Sequence, residues 1–166
     1  DRRGLRKFRP VCYLTDEWGC PDQQPVLGIP FYLADPKLRS LEKAVDTLES
    51  ERQIMMYMRH EAGHVFNYAY RLYETAEWTT LFGDIEQPYI EEYRPRPFHR
   101  DYVQHLPGWY AQKHPDEDWA ETFAVWLTPG LDWRQRYAQV VVVRAKLEYC
   151  DRTLHALRER DPPVTV

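Results

Sequence analysis

Five consecutive residues, His60-Glu61-Ala62-Gly63-His64, constrain this chain more than anything else in it. They spell H-E-x-x-H inside a run of helical periodicity. Histidines four positions apart rise on one face of a helix, so both imidazoles can reach a single metal ion. The glutamate that follows the first histidine falls beside that ion, where a carboxylate can take a proton from an activated water. Neutral imidazoles leave a zinc ion strongly Lewis acidic, which is why this chemistry uses histidine. The plainer alternative is a pair of ordinary polar-face histidines, and the surrounding sequence has to decide.

Ser50 and Gln53 form a capping box for a helix expected over 51–73. Met55, Met58, Ala62, Val65, Phe66, Ala69 and Leu72 give it an apolar side. Tyr57, His60, Glu61, His64 and Tyr68 fall on another side, as suits a helix packed on one flank and lining a cleft on the other. Gly63 would admit the close approach of a neighbouring element.

Upstream, residues 1–10 read as a loose basic arm. Apolar runs at 11–14 and 29–33, separated by Gly19, Pro21, Asp22 and Pro25, predict two strands. Asp35-Pro36 starts a helix carrying Leu38, Leu41, Ala44, Val45 and Leu48. Downstream, Thr75 caps a short helix closed by Gly83. A proline-punctuated stretch at 84–108 is too long for an idle loop in a compact domain. A helix over 115–127 ends at Pro129-Gly130, and a last helical region over 133–160 is interrupted near 139–143, where valines weaken helix preference.

One domain spanning 1–166 accounts for the length, with no internal repeat. The net charge of −4 and the scattered Lys and Arg exclude a phosphate-backbone footprint, so no nucleic-acid partner is expected. The apolar stretch at 140–143 is far too short to span a bilayer, so no membrane partner is expected either. Three cysteines, Cys12, Cys20 and Cys150, form a sparse, odd set. Free thiols in a reducing compartment fit them better than a Cys12–Cys20 disulfide, which points to the cytoplasm, although the first residue, Asp1, is compatible with a removed leader.

A catalytic zinc needs three protein ligands and an open position. Metzincins place glycine three residues and histidine six residues after the second histidine; Asn67 and Tyr70 stand there, which excludes that class. Gluzincins take the third ligand from a glutamate on a later helix, and the segment 114–127 is a helix with acids at 116, 117, 118 and 121. Asp116, Glu117 and Asp118 occupy its first turn, where negative charge suits the helix dipole whatever the function. Glu121 lies one turn deeper among Trp119, Ala120, Phe123 and Ala124, and a carboxylate so surrounded needs a cation. Glu121 is therefore the expected third ligand. Asp118, one turn earlier, is the expected acceptor for the second ring N–H of a ligating histidine.

His60-Glu61-x-Gly63-His64, followed by Tyr110-Ala-Gln-Lys-His-Pro-x-Glu-Asp-x-Ala-Glu-Thr-Phe-Ala124, resembles the bacterial zinc-binding metallopeptidase family of the gluzincin group, over about residues 10–157. Ala120-Glu121-x-Phe123 is also similar to the third-ligand helix of anthrax lethal factor and its relatives. The resemblance implies an α+β, mostly helical, minimal zincin-like domain with an active-site helix, a glutamate helix and a small N-terminal sheet. It implies one catalytic zinc held by His60, His64 and Glu121, with Glu61 as general base in peptide hydrolysis. Where lethal-factor-like enzymes carry an oxyanion-stabilising tyrosine, this sequence has His114; Tyr110 one turn earlier, or His105, are the other candidates. A peptide or protein substrate would lie extended along 29–33 or 11–14. The competing expectation is a zinc-stabilised binding or regulatory module without turnover.

Overall fold

The computed structural model describes residues 4–166. About half of the chain is helical, and the remainder holds a small two-stranded parallel sheet. Strand β1 is Val11–Thr15 and β2 is Val26–Pro30, paired in register from Val11 opposite Val26 to Thr15 opposite Pro30. The second strand thus begins three residues earlier than its apolar run suggests, and Phe31–Ala34 turns into a 3-10 helix. The connection between the strands doubles back across β2: Gly28 N donates to Gly19 O at 2.7 Å on the edge facing away from β1. Only glycine fits at 28, because a Cβ there would stand 2.7 Å from Thr15 Cγ2.

Helix α1 is Pro36–Ala44, started by Asp35, whose Oδ1 accepts from Lys37 N at 2.7 Å. Its Leu41 and Val45 face solvent rather than the core. Helix α2, Glu51–Tyr70, opens with the expected capping box, Ser50 N donating to Gln53 Oε1 at 2.9 Å. It stops short of residue 73 because Arg71 takes a left-handed conformation, φ 53°. Helix α3 is Ala76–Phe82, α4 is Pro115–Leu127, α5 is Trp133–Arg136 and α6 is Val141–Leu157. The break anticipated near 139–143 falls between α5 and α6. Residues 84–108 are irregular, as the prolines imply. No helix among the described residues is long and apolar enough to cross a membrane.

The core lies where α2 crosses α4, with α6 and α3 closing the other side. Phe66, Trp119, Phe123 and Trp126 are among its aromatic members, all fully buried. The two helices meet at Gly63, where a Cβ would sit 2.8 Å from Ala120 Cα. Trp119 Nε1 donates to Gly63 O at 2.8 Å, so the crossing carries a hydrogen bond between side chain and backbone as well as contact. The N-terminal arm is not loose from Leu5 onward. Leu5 is buried and the Phe8 ring packs edge-on against Phe66 at 4.9 Å, because the core leaves an aromatic surface beside α2 that these apolar side chains cover.

Candidate metal centre

Close crossing at Gly63 brings one turn of α2 against the first two turns of α4. His60 and His64 leave α2 on the side facing α4, and Asp116, Glu117 and Glu121 come back from it. All five are buried. His60 Nε2 lies 2.9 Å from Glu117 Oε2, His64 Nε2 lies 3.2 Å from the same oxygen, and the two Nε2 atoms are 3.1 Å apart. Among the described residues, His60, His64 and Glu117 are the group whose donor atoms converge closely enough to hold a metal ion.

The fit to zinc can be judged from that triangle. Donors held at zinc distances around a tetrahedral centre lie about 3.3 Å from one another, close to the 2.9–3.2 Å found here. The far nitrogen of each ring is already engaged. His60 Nδ1 donates to Glu121 Oε1 at 2.9 Å and His64 Nδ1 donates to Asp116 Oδ2 at 2.5 Å, which leaves both Nε2 atoms for a metal. Charge points the same way. Glu61, Asp116, Glu117 and Glu121 are four buried acids gathered around two imidazoles, an excess that a divalent cation would offset.

Each pKa shift has a visible cause. Burial opposes the charge on His60, but hydrogen bonds to Glu117 and Glu121 outweigh it and raise its pKa to about 9. His64 is likewise held well above its ordinary value by Asp116 and Glu117 against the cost of burial. In return, and again against burial, His64 lowers Asp116, and His64 with His60 holds Glu117 well below the carboxylate range. Burial raises Glu61, which keeps it a stronger base than an exposed glutamate.

Glu121 stands elsewhere than expected. It is fully buried, but it occupies the Nδ1 side of His60, and its Oε2 accepts from the backbone N–H of His105 at 2.8 Å and of Leu106 at 2.9 Å. The carboxylate that meets both Nε2 atoms is Glu117, one helical turn earlier. Asp118 also differs from expectation: it points away from both histidines and accepts from Lys146 Nζ at 2.6 Å. The role foreseen for it falls to Asp116, which also accepts from Asn67 Nδ2 at 2.8 Å and Tyr68 Oη at 2.6 Å. Sequence reasoning passed over Glu117 and Asp116 because a helix-start acid already has a reason to be there. The usable signal was the four-residue spacing of Glu117 and Glu121, which repeats that of His60 and His64.

A cleft of about 510 Å³ opens over the triangle, with His60, Glu61, His64 and Glu117 in its wall. Tyr110 and His114 line it too, but His114 serves the fold. It is the N-cap of α4, its Nδ1 accepting from Asp116 N at 3.2 Å and its Nε2 donating to Gln87 O at 3.0 Å. Tyr110 sits with its ring 5.5 Å from that of His60, and its hydroxyl lies 3.4 Å from the hydroxyl of Tyr89. Tyr89, which sequence reasoning did not single out, donates to Glu117 Oε1 at 2.6 Å. The His105 ring is turned away, donating from Nε2 to Met56 O at 3.1 Å. Neither β1 nor β2 lines the cleft; their connection does, through Trp18, Gly19 and Cys20. Cys12 and Cys20 are not joined to each other, so the Cys12–Cys20 disulfide is not formed.

Residues 23–152 match the family model described as "Putative zinc-binding metallo-peptidase". The chain belongs to this family. Membership at this level makes the chain a metallopeptidase relative with zinc as the family's metal. Two mycobacterial relatives, the uncharacterized proteins Rv2568c of Mycobacterium tuberculosis H37Rv and Mb2598c of Mycobacterium bovis, are each 35% identical over 92 residues. That stretch is 50% of this chain and 26% of each relative, so the chain matches about a quarter of their length. No solved structure matches the chain.

Proposed function

We propose that this metallopeptidase family member is a zinc-dependent peptidase of gluzincin type, with His60, His64 and Glu117 as the metal ligands. The observation that carries this reading is the triangle of two Nε2 atoms and one carboxylate oxygen opening onto a cleft whose wall includes Glu61. A zinc ion bound there supplies Lewis acidity, polarising a carbonyl and making water a better nucleophile near neutral pH. Glu61 takes a proton onto its carboxylate from the attacking water and returns it to the departing amine nitrogen. Asp116 and Glu121 fix the ring orientation of His64 and His60 from behind. The Tyr110 hydroxyl lies 3.4 Å from that of Tyr89, and burial raises its phenol pKa, so it remains a hydrogen-bond donor for a developing oxyanion, while Tyr89 gives its one O–H to Glu117. An extended substrate would run along Trp18–Gly19–Cys20, the inter-strand segment that lines the cleft.

Metal content and turnover of single variants test the assignment. Glu61→Gln should keep one zinc per chain and lose hydrolysis of a generic peptide mixture by several orders of magnitude. Glu117→Gln should lose the zinc. Glu121→Gln should retain it with an affinity about 10–100-fold weaker, the usual effect of removing a partner behind a ligand. Full zinc in Glu117→Gln together with none in Glu121→Gln would reverse the two roles. A zinc-loaded parent that never hydrolyses peptides would favour the binding-module reading instead.

A further inference from the structure

A second cavity, about 710 Å³, lies beyond the segment that holds Glu121. Its floor is apolar, with Met56, Leu106, Val125 and Leu131, and three arginines, Arg52, Arg59 and Arg136, line it. No carboxylate lines it, although acidic residues outnumber Lys and Arg in the chain by 26 to 22. Among the described residues none of the three guanidiniums forms an ion pair, whereas Arg71, Arg134, Arg144 and Arg152 each find an acid on the surface. Arg59 is the half-buried member of the group, and its burial lowers its pKa, as expected of a charge that lacks a counter-ion.

Spacing on α2 explains how two of the three arginines come to line one cavity. Arg52 and Arg59 are seven residues apart, two turns and about 10 Å along the same helix face, and Met56 lies between them in the floor. Arg136 approaches from the end of α5. Arginine is the residue suited to oxyanions, since its planar fork donates two parallel N–H groups to one phosphate or carboxylate. A lone carboxylate would leave two of the three charges unbalanced, whereas a phosphate dianion leaves one. The volume suits a small organic molecule, which would rest its apolar part on the floor.

We propose that this cavity is a binding site for a phosphate monoester with an apolar body, held by Arg52, Arg59 and Arg136 and separate from the zinc-site cleft. The two sites are neighbours through His105 and Leu106, which line this cavity and whose amides hold Glu121.

Phenyl phosphate is the probe, titrated calorimetrically into zinc-loaded protein, with inorganic phosphate and a triglutamate peptide as the other arms. Phenyl phosphate should bind with one-to-one stoichiometry and more tightly than either, and more weakly as salt rises. Arg59→Gln and Arg136→Gln should each weaken it about tenfold or more, Arg59→Lys less, with zinc content and circular dichroism unchanged. Binding that survives both glutamine substitutions would place the phosphate on the zinc and overturn the proposal. So would the absence of binding at millimolar concentration, or tighter binding of triglutamate, which would mark a site for acidic peptide.

Discussion

Replacing Gly63 with alanine adds one methyl group at the point where the two ligand-bearing helices touch. Its carbon would lie 2.8 Å from Ala120 Cα, 3.1 Å from Ala120 O and 3.2 Å from Phe123 Cβ. Carbon atoms rest about 3.5–4.0 Å apart, so α4 has to withdraw by roughly 1 Å. Withdrawal takes the Trp119–Gly63 hydrogen bond, now 2.8 Å, beyond bonding range. Overpacking costs about 1–3 kcal/mol and the lost bond about 1 more, while the better helix propensity of alanine offsets about 1. The metal-free protein should therefore lose about 1–3 kcal/mol, a fall in Tm of roughly 2–12 °C by scanning calorimetry. The effect on zinc should be larger in proportion. Glu117 travels with α4 while His60 and His64 travel with α2, and metal sites tolerate only about 0.2 Å in donor distance. Competition against a chelating dye should show zinc affinity reduced about tenfold or more. An unchanged or raised Tm with zinc affinity within about twofold of the parent would refute this account of the helix crossing and of what it does for the site.

Zinc binding should release protons. The folded pKa of His60, about 9, lies above its ordinary 6.5, so its proton stabilises the metal-free fold fully below 6.5, and that contribution is lost as pH rises through about 9. Titrations of zinc in two buffers of different ionisation enthalpy should show net proton release at pH 7 that declines toward pH 9; release independent of pH would count against it. The cysteines give a second check. Cys12 is exposed, Cys150 is buried, and burial pushes the Cys20 thiol up to about 12. Iodoacetamide at pH 8 should therefore modify Cys12 quickly and Cys20 only after unfolding, as peptide mass spectrometry would reveal.

Much of the fold could be read along the chain, because its signals are local. The Ser50–Gln53 box, the Asp35-Pro36 start, the Thr75 cap and the Pro115 start each act within one helical turn, and each stands where expected. Gly63 was legible too, since a small residue in mid-helix needs a neighbour to justify it. The strand shift and the docked arm were less so. Pairing of β2 with β1 and with Gly19, and the aromatic surface that receives Phe8, are contacts between distant segments.

The order of residues alone discloses the chemistry on offer: two imidazoles and a glutamate on one helix, and a cluster of acids on another whose charge had to be met. It could not say which acid faces which ring nitrogen. Asp116, Glu117, Asp118 and Glu121 sit within two turns, and a rotation of α4 by a fraction of a turn would exchange their roles. That rotation is set by Ala120 against Gly63, by Trp119 reaching Gly63 O, by Lys146 drawing Asp118 to α6, and by the His105 and Leu106 amides holding Glu121. These are packing constraints from three other parts of the chain, and only their joint solution puts Glu117 against both imidazoles.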